Sequence, residues 1–402
     1  MGTIIIGAGH GGGTAAALLR QNGYAEPIIL IGEEPHPPYQ RPPLSKGWLK
    51  GEVGGDGLLL RPRDWYAEAD VDLRTSTRVV HIDRAAKTVT LSSDEVLAYD
   101  TLIIATGARA RKLVLPGSDL KGFLELRTIE DAEAIKAWFK PGFRLAVIGG
   151  GYVGLEVAAS ARKLGAEVDV LEREERLLAR VAGPALSSFF REVHEEQGVN
   201  FHFGVSIEGF EGLDGQVSGV KLSDGSVVHC DAVLVGIGAI PNDDLAREAG
   251  LVCDNGVVVD AHARTSDPAI FAIGDMTQRP MPLYDRSVRL ESVPNALEQS
   301  RQAAAAITGK PEPKPETPWF WSDQYDLKLQ IAGLPFDVDQ IVVRGDPATR
   351  RFAVFHLSGG RVQAVEAINS APDFMVGKQW IAQRREVDPA RLADVSVPIK
   401  EV

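Results

Sequence analysis

The sequence predicts two α/β modules of one plan, each built on a parallel sheet, followed by a small α+β domain. Three observations predict it. A β-branched strand at the N-terminus runs into glycines and then into an alanine-rich helix, and the same succession returns at Gly149. Each copy goes on through short antiparallel strands to a buried strand that closes in a glycine turn. Beyond a proline-rich linker, the chain changes to a run of strands and one helix.

The opening stretch, Thr3 to Gly13, reads TIIIGAGHGGG. Three isoleucines make a strand, Gly7, Gly9 and Gly12 make the turn, and AAALL begins a helix. This is the spacing of a Rossmann-like dinucleotide fingerprint. The first glycine permits the turn, the second admits a pyrophosphate to the backbone, and the third lets helix and strand pack. The helix N-terminus then holds the anion. Glu33 is expected to close the second strand, IILIGE, and to accept from a ribose hydroxyl, with Glu34 as the alternative.

A chain of 402 residues exceeds one ordinary core. Its 44% hydrophobic and 24% charged residues are those of a globular protein. No run reaches membrane-helix length, and a strand beginning at the third residue leaves no leader to remove, so a cytoplasmic protein is expected. Two cysteines, Cys230 and Cys253, exclude a disulfide framework and any multi-cysteine metal site. A net charge of −12 argues against a nucleic-acid partner.

After Glu33 comes EPHPPYQRPPLSKGWLKG, a constrained loop with cations at Arg41 and Lys46. On the residues alone these are as readily solvated charges as ligands. RVVHID, KTVTL and EVLAYD read as antiparallel strands, Val79 lying on the first, and TLIIATG as a buried strand ending in a small-residue turn. RLAVIGGGYVGLEVA repeats the opening, with Gly149, Gly151 and Gly154 in fingerprint spacing, and Glu172 ends EVDVLE. VSGVKL and SVVHCD flank Asp224-Gly225, a hairpin signal, and AVLVGIG parallels TLIIATG. From Gly7 to Gly107 is 100 positions, and from Gly149 to Gly238 is 89.

TSDPAIFAIGD is expected to return to the first module, bringing Asp275 toward its ligand. Ser292, Pro294 and Gly309 mark the ends of the helix that follows. KPEPKPETP is a linker. The expected division is therefore 1–108 with 233–316, then 109–232, then 317–402. From Thr317 onward 10 Lys and Arg face 11 Asp and Glu, so this last part carries only −1 of the net charge. Trp319, Phe320 and Trp321 are expected in its core, with a wall beside a ligand as the alternative.

Two dinucleotide sites in one chain imply hydride exchange between a resident cofactor and an exchanging one. The first module gathers additional contacts and suits FAD. Glu172 favours NADH in the second, because a carboxylate repels a 2′-phosphate, although Arg173 and Arg176 lie close in sequence.

GAGHGG, RPPLSKG, ATG, GGGYVGLE, FAIGD and SVPNALEQSR occur in this order along almost the whole chain. In these motifs the chain resembles the glutathione-reductase-type flavoproteins. Among them it is most similar to the bacterial NADH-dependent ferredoxin reductases of the putidaredoxin-reductase type, with PWFWSDQYD narrowing the match. The resemblance implies FAD contacts at Gly11, Glu33, Arg41, Lys46, Val79, Arg127, Asp275 and Val293. It also implies a Lys46–Glu156 pair near flavin N5, and ferredoxin docking at Arg301 and Trp321. Gly7, Gly9, Gly12, Ala105 and Gly107 complete the expected FAD site. The expected NAD site is Gly149, Gly151, Tyr152, Val153, Glu156, Glu172, Gly238 and Glu291. No metal site is expected.

Disulfide reductases of this fold carry a cysteine pair where this chain has RPPLSKG. Without a thiol relay, electrons are expected to leave the flavin edge directly, one at a time, for a [2Fe–2S] ferredoxin that serves a haem monooxygenase or ring dioxygenase. Arg344, Lys378, Arg384 and Arg385 are further candidates for a basic docking rim. The alternatives are rubredoxin, a quinone or a small radical as acceptor, or a flavoprotein that senses NADH.

Overall fold

The computed structural model describes residues 1–402, and each of the two units into which they divide is built on a five-stranded parallel sheet. The first unit comprises Met1–Gln40, Gly55–Arg109 and Ile240–Phe320. The second comprises Arg41–Gly54, Ala110–Ala239 and Trp321–Val402.

In the first unit, Thr3–Ile6 is the middle strand, flanked by Ile28–Ile31 and then Val71–Arg74 on one side. Thr101–Ile104 and then Ile270–Ala272 flank it on the other. The strand read from FAIGD thus returns to the first sheet, pairing Ile270 with Leu102. Successive side chains on a strand face opposite sides, and both faces here are apolar. Ile4, Ile6 and Ile104 pack with Val79, Ile82 and Val89 of the antiparallel insert. Ile5, Leu30, Ile103 and Phe271 pack with Ala15, Leu19 and Ala303 of two helices. Burial on both faces is what a nearly continuous apolar strand sequence requires.

The helices His10–Gln21 and Val293–Thr308 meet through alanines, with Ala15, Ala16, Ala303 and Ala304 all buried. The Ser300 hydroxyl donates to the Gly11 carbonyl at 3.0 Å where they touch. The later helix starts and stops where its sequence signals lie. Ser292 Oγ accepts from the Asn295 N–H at 3.3 Å, and Gly309 ends the helix at φ 64°.

The second unit repeats the plan. Arg144–Ile148 is central, with Glu167–Glu172 and Val199–Phe203 on one side, and Ala232–Val235 and Phe123–Leu124 on the other. A three-stranded antiparallel insert again separates the third strand from the fourth, at Val79–Ala98 in one copy and Ile207–His229 in the other. The copies differ at one edge. The fifth strand follows the others in sequence in the first unit and precedes them in the second. Apart from Trp319 and Phe320, the same unit holds a five-stranded antiparallel sheet ordered Trp319–Gln324, Leu327–Gly333, Arg361–Ile368, Arg351–Ser358 and Gln340–Asp346, with the helix Ala371–Gln383. Trp319, Phe320 and Trp321 are half-buried and not core. They sit on the first strand of that sheet, where only Ser322 and Gln324 are buried.

Candidate functional site

The two fingerprint turns share one geometry, set by what each glycine touches. Gly7 and Gly149 have φ of 110° and 101°, where side chains other than hydrogen are strained. A Cβ at Gly7 would lie 2.2 Å from the Ala105 carbonyl oxygen, and one at Gly149 would lie 2.6 Å from that of Gly236. Gly12 and Gly154 are equally closed, at 1.9 Å from the Gly7 oxygen and 2.5 Å from the Gly149 oxygen. Gly9 and Gly151 are different. A Cβ at either would meet no atom within 4 Å.

Each open glycine is the N-cap of the helix that follows. Neither helix is capped by a side chain or carries an acid in its first turn. A pyrophosphate needs this combination: space against the backbone, and N–H groups with a positive dipole end behind it. The residues present therefore fit a dinucleotide in each unit.

The acids near the turns behave differently. The second strand of the first unit stops at Ile31, so Glu33 does not close it but lies two residues beyond. Its side chain is 71% exposed, 3.7 Å from Arg78. Glu34 accepts from the Tyr39 hydroxyl at 2.5 Å. In the second unit Glu172 does end its strand. One of its oxygens accepts from the Gly150 N–H at 2.7 Å and the other from the Glu174 N–H at 2.9 Å. A carboxylate has capacity for further donors, so Glu172 both fixes the glycine turn and can receive a ribose hydroxyl. Arg176 is committed to the carbonyls of Ala179 and Ala182 and to the Ser187 hydroxyl. Arg173 pairs with Glu174 at 3.2 Å.

The other expected FAD contacts fall in both units. Gly11, Val79, Ala105, Gly107, Asp275 and Val293 belong to the first, and Arg41, Lys46 and Arg127 to the second. Gly11 packs close to Ile273, Val79 is buried, and Val293 opens its helix just after the Ser292 cap. The Asp275 carbonyl accepts from Arg289, which also pairs with Glu291. Arg41 donates to the Arg127 carbonyl at 2.5 Å. Of the expected NAD contacts, Tyr152 and Val153 start the second fingerprint helix, and Gly238 has φ 104°.

Lys46 is not a solvated loop charge. Its ammonium lies 2.9 Å from Glu156 Oε1. Glu156 projects from the second fingerprint helix and is buried. It also accepts from Ser45 Oγ at 2.5 Å and Ser322 Oγ at 2.6 Å. Three donors thus converge on one carboxylate, which has the acceptor capacity for all of them. The short turn Pro42–Ser45, with prolines setting its first positions, presents Ser45 and Lys46 to the acid. The Ser160 hydroxyl anchors that turn by donating to the Ser45 carbonyl at 2.8 Å. The sequence reading missed both serines as site residues, although they lie within the quoted RPPLSKG and PWFWSDQYD.

Arg301 pairs with Glu316 and is 40% exposed. Arg344 is not a rim charge. It is 7% exposed and donates to the carbonyls of Leu392, Asp394 and Val397 as well as to Asp373, so it fastens the C-terminal segment. Arg384 and Arg385 are exposed, Arg385 lying over the Trp380 ring. Both cysteines are free. Cys230 is buried beneath the second antiparallel insert, where burial pushes its thiol up to about 12. Cys253 lies in the first unit, its thiol also raised by burial.

Comparison with known proteins finds relatives along the whole chain. Over 397 residues the chain is 52% identical to a probable ferredoxin reductase of Castellaniella defragrans, covering 98% of this chain and 97% of that one. It is 44% identical to putidaredoxin reductase of Pseudomonas putida, covering 99% and 96%. A crystal structure of the covalent putidaredoxin reductase–putidaredoxin complex superposes with a TM-score of 0.97 at 43% identity, covering 100% of this chain and 97% of that chain. A ferredoxin reductase from Rhodopseudomonas palustris superposes at 0.96 and 41%, covering 100% and 99%. A reductase C-terminal domain matches residues 319–402. Residues 1–300, three quarters of the chain, match the model of the pyridine nucleotide-disulphide oxidoreductases, and the chain belongs to that family.

Proposed function

We propose that this protein is an FAD-containing, NADH-dependent ferredoxin reductase. It takes a hydride from NADH and passes two electrons, singly, to a [2Fe–2S] ferredoxin serving an oxygenase. The observation that carries this reading is the duplicated glycine turn, open at Gly9 and again at Gly151, which gives one chain two dinucleotide sites. The names of its relatives point the same way. In the expected three-domain division, 1–108 with 233–316 holds FAD tightly, 109–232 takes NADH, and 317–402 completes the acceptor side. The expected location is the cytoplasm; no helix is long and apolar enough to cross a membrane.

When bound, FAD supplies the step from a two-electron donor to one-electron acceptors, releasing one proton for each NADH. The chain's own residues bind, orient and tune. Gly7, Gly9 and Gly12 seat its pyrophosphate, with Glu33 toward the ribose, and Arg41, Arg127, Asp275 and Val293 as further contacts. The Val293 helix turns its positive end toward the ligand, which favours negative charge there. Lys46, held by Glu156, favours an electron-rich ring. Gly149, Gly151 and Glu172 hold NADH, and the Glu172 charge opposes a 2′-phosphate. Arg301 and Trp321 meet the ferredoxin. Neither cysteine takes part, which separates this chain from relatives that pass electrons through sulfur.

The test begins with the purified protein, which carries a flavin spectrum. Anaerobic NADH bleaches it more effectively than NADPH, and oxidised [2Fe–2S] ferredoxin restores it. A colourless protein that cannot be reconstituted, or a bleached flavin that ferredoxin leaves reduced, refutes the reading.

A further inference from the structure

Beyond Glu156 Oε1, the oxygen that also meets Lys46, the polar contacts continue through the second unit as a single file. Gln324 Nε2 lies 3.2 Å from Ser322 Oγ, His194 Nε2 lies 2.8 Å from Gln324 Oε1, and the Tyr325 hydroxyl lies 3.1 Å from His194 Nδ1. Glu156 is 5% exposed, Ser322 and Gln324 1%, and His194 0%. Burying such groups is costly unless each has a partner. Here every one has a partner in the next, and none of the three beyond Glu156 is among the expected cofactor contacts.

One charge dictates the direction of every bond in the file. The Lys46 ammonium can only donate, so it holds Glu156 as a carboxylate that accepts at both oxygens. Ser322 has one hydroxyl hydrogen, and Glu156 receives it. Toward Gln324, then, Ser322 can only accept, and the amide must present its nitrogen. That turns the Gln324 oxygen to His194, which must carry its proton on Nε2. Burial pushes the His194 imidazolium down to about 4, so the ring is neutral at pH 7 and Nδ1 accepts from Tyr325. The cation at Lys46 thus sets a tautomer at the far end of the file.

We infer that Gln324 and His194 are positioning residues for the Lys46–Glu156 pair. They hold the Ser322 hydroxyl as a one-way donor, which fixes Glu156 in one orientation against Lys46. The inference rests on the proposed reductase function, in which Lys46 acts beside the flavin. Without a directed Ser322, Glu156 keeps Lys46 on Oε1 and Ser45 on Oε2 but loses the second donor on Oε1, the oxygen that faces Lys46. The Lys46 charge is then less well balanced.

The experiment uses the FAD-loaded protein and two kinds of readout. Side-chain ¹⁵N NMR on the wild type, with His194 assigned by its loss in His194→Gln, reports the tautomer without reference to turnover. The expected spectrum is a neutral ring protonated on Nε2, unchanged between pH 6 and 8. Gln324→Met keeps the volume and removes both amide contacts, while Ser322→Ala removes the donor itself. Both are expected to raise the flavin midpoint potential and to slow its reduction by NADH roughly tenfold, with the NADH KM unchanged. A shift in Ser322→Ala with none in Gln324→Met overturns the positioning role, as does a His194 protonated on Nδ1 or titrating near its ordinary value. A wild-type flavin that NADH does not reduce defeats the reductase reading instead, and the NMR result still decides the direction of the file.

Discussion

Lys46 Nζ lies 2.9 Å from Glu156 Oε1, with the two side chains only 17% and 6% exposed. A shielded pair of this kind adds little net stability while it is intact, but loss of one partner strands the other. Glu156→Gln keeps the shape and leaves the ammonium without its counter-charge. The expected loss is about 3 kcal/mol in urea unfolding, and flavin reduction by NADH slows at least tenfold. Lys46→Met with Glu156→Gln should recover most of the stability and none of the reduction rate. Recovery of both would mean that the pair is structural only.

The open and closed glycines of the second fingerprint separate binding from folding. A methyl at Gly151 meets nothing within 4 Å, and its φ of −84° is ordinary for alanine. Gly151→Ala should therefore fold with an unchanged Tm while the NADH KM rises tenfold or more. A methyl at Gly154 falls 2.5 Å from the Gly149 oxygen and 3.1 Å from Val147. Gly154→Ala is expected to lose about 1–3 kcal/mol through overpacking. Melting curves and NADH kinetics on the two variants decide it.

This contrast also shows why part of the molecule was legible in its sequence. Strand, glycine turn and helix are contiguous, so Gly7, Gly9 and Gly12 announce their geometry within a few residues, and the copy at Gly149 repeats it. The ends of the Val293–Thr308 helix are likewise local, carried by Ser292, Pro294 and Gly309. The surroundings of Glu156 are not. Ser45 reaches it across 111 positions and Ser322 across 166. His194, on an amphipathic helix, carries no local mark of its bond to Gln324, 130 positions away. Arg344 misled for the same reason: a strand arginine reads as surface until the C-terminal carbonyls that receive it are in place.

Arg301 already has an acidic partner, Glu316, and both are 40% exposed. A ferredoxin carboxylate docking at Arg301 must compete with that partner. Arg301→Glu should raise the ferredoxin KM roughly tenfold, and more at low ionic strength, with NADH-to-ferricyanide turnover unchanged. Glu316→Gln should lower the ferredoxin KM by freeing the guanidinium. Equal losses in both assays for Arg301→Glu would remove it from the docking surface.

Thiol chemistry is expected to be absent. Burial pushes the Cys230 thiol up to about 12, which disfavours its thiolate at pH 8. Only the thiolate is a competent nucleophile. Iodoacetamide at pH 8 should leave NADH-to-ferredoxin turnover intact, and so should Cys253→Ala. Mass spectrometry of the native protein should find Cys230 unmodified. Inactivation on alkylation would place sulfur back in the electron path.

His194 makes stability depend on pH in a direction that follows from its burial. Desolvation lowers its pKa to about 4, against an ordinary 6.5. Between these values the unfolded chain binds a proton that the folded chain refuses, so acid favours unfolding. The contribution is complete above pH 6.5 and is lost as the pH falls toward 4, at about 1.4 kcal/mol for each pH unit within the window. From pH 7 to pH 5 this amounts to about 2 kcal/mol. His194→Gln keeps a donor for Gln324 and has no proton to bind. Carboxylates elsewhere titrate alike in both proteins, so the difference between wild type and variant isolates the imidazole. In urea unfolding, that difference should shift against the wild type by about 2 kcal/mol between pH 7 and 5. No shift would mean that the ring is charged in the fold. Nε2 would still donate to Gln324, but Nδ1 would also carry a proton and could no longer accept from Tyr325.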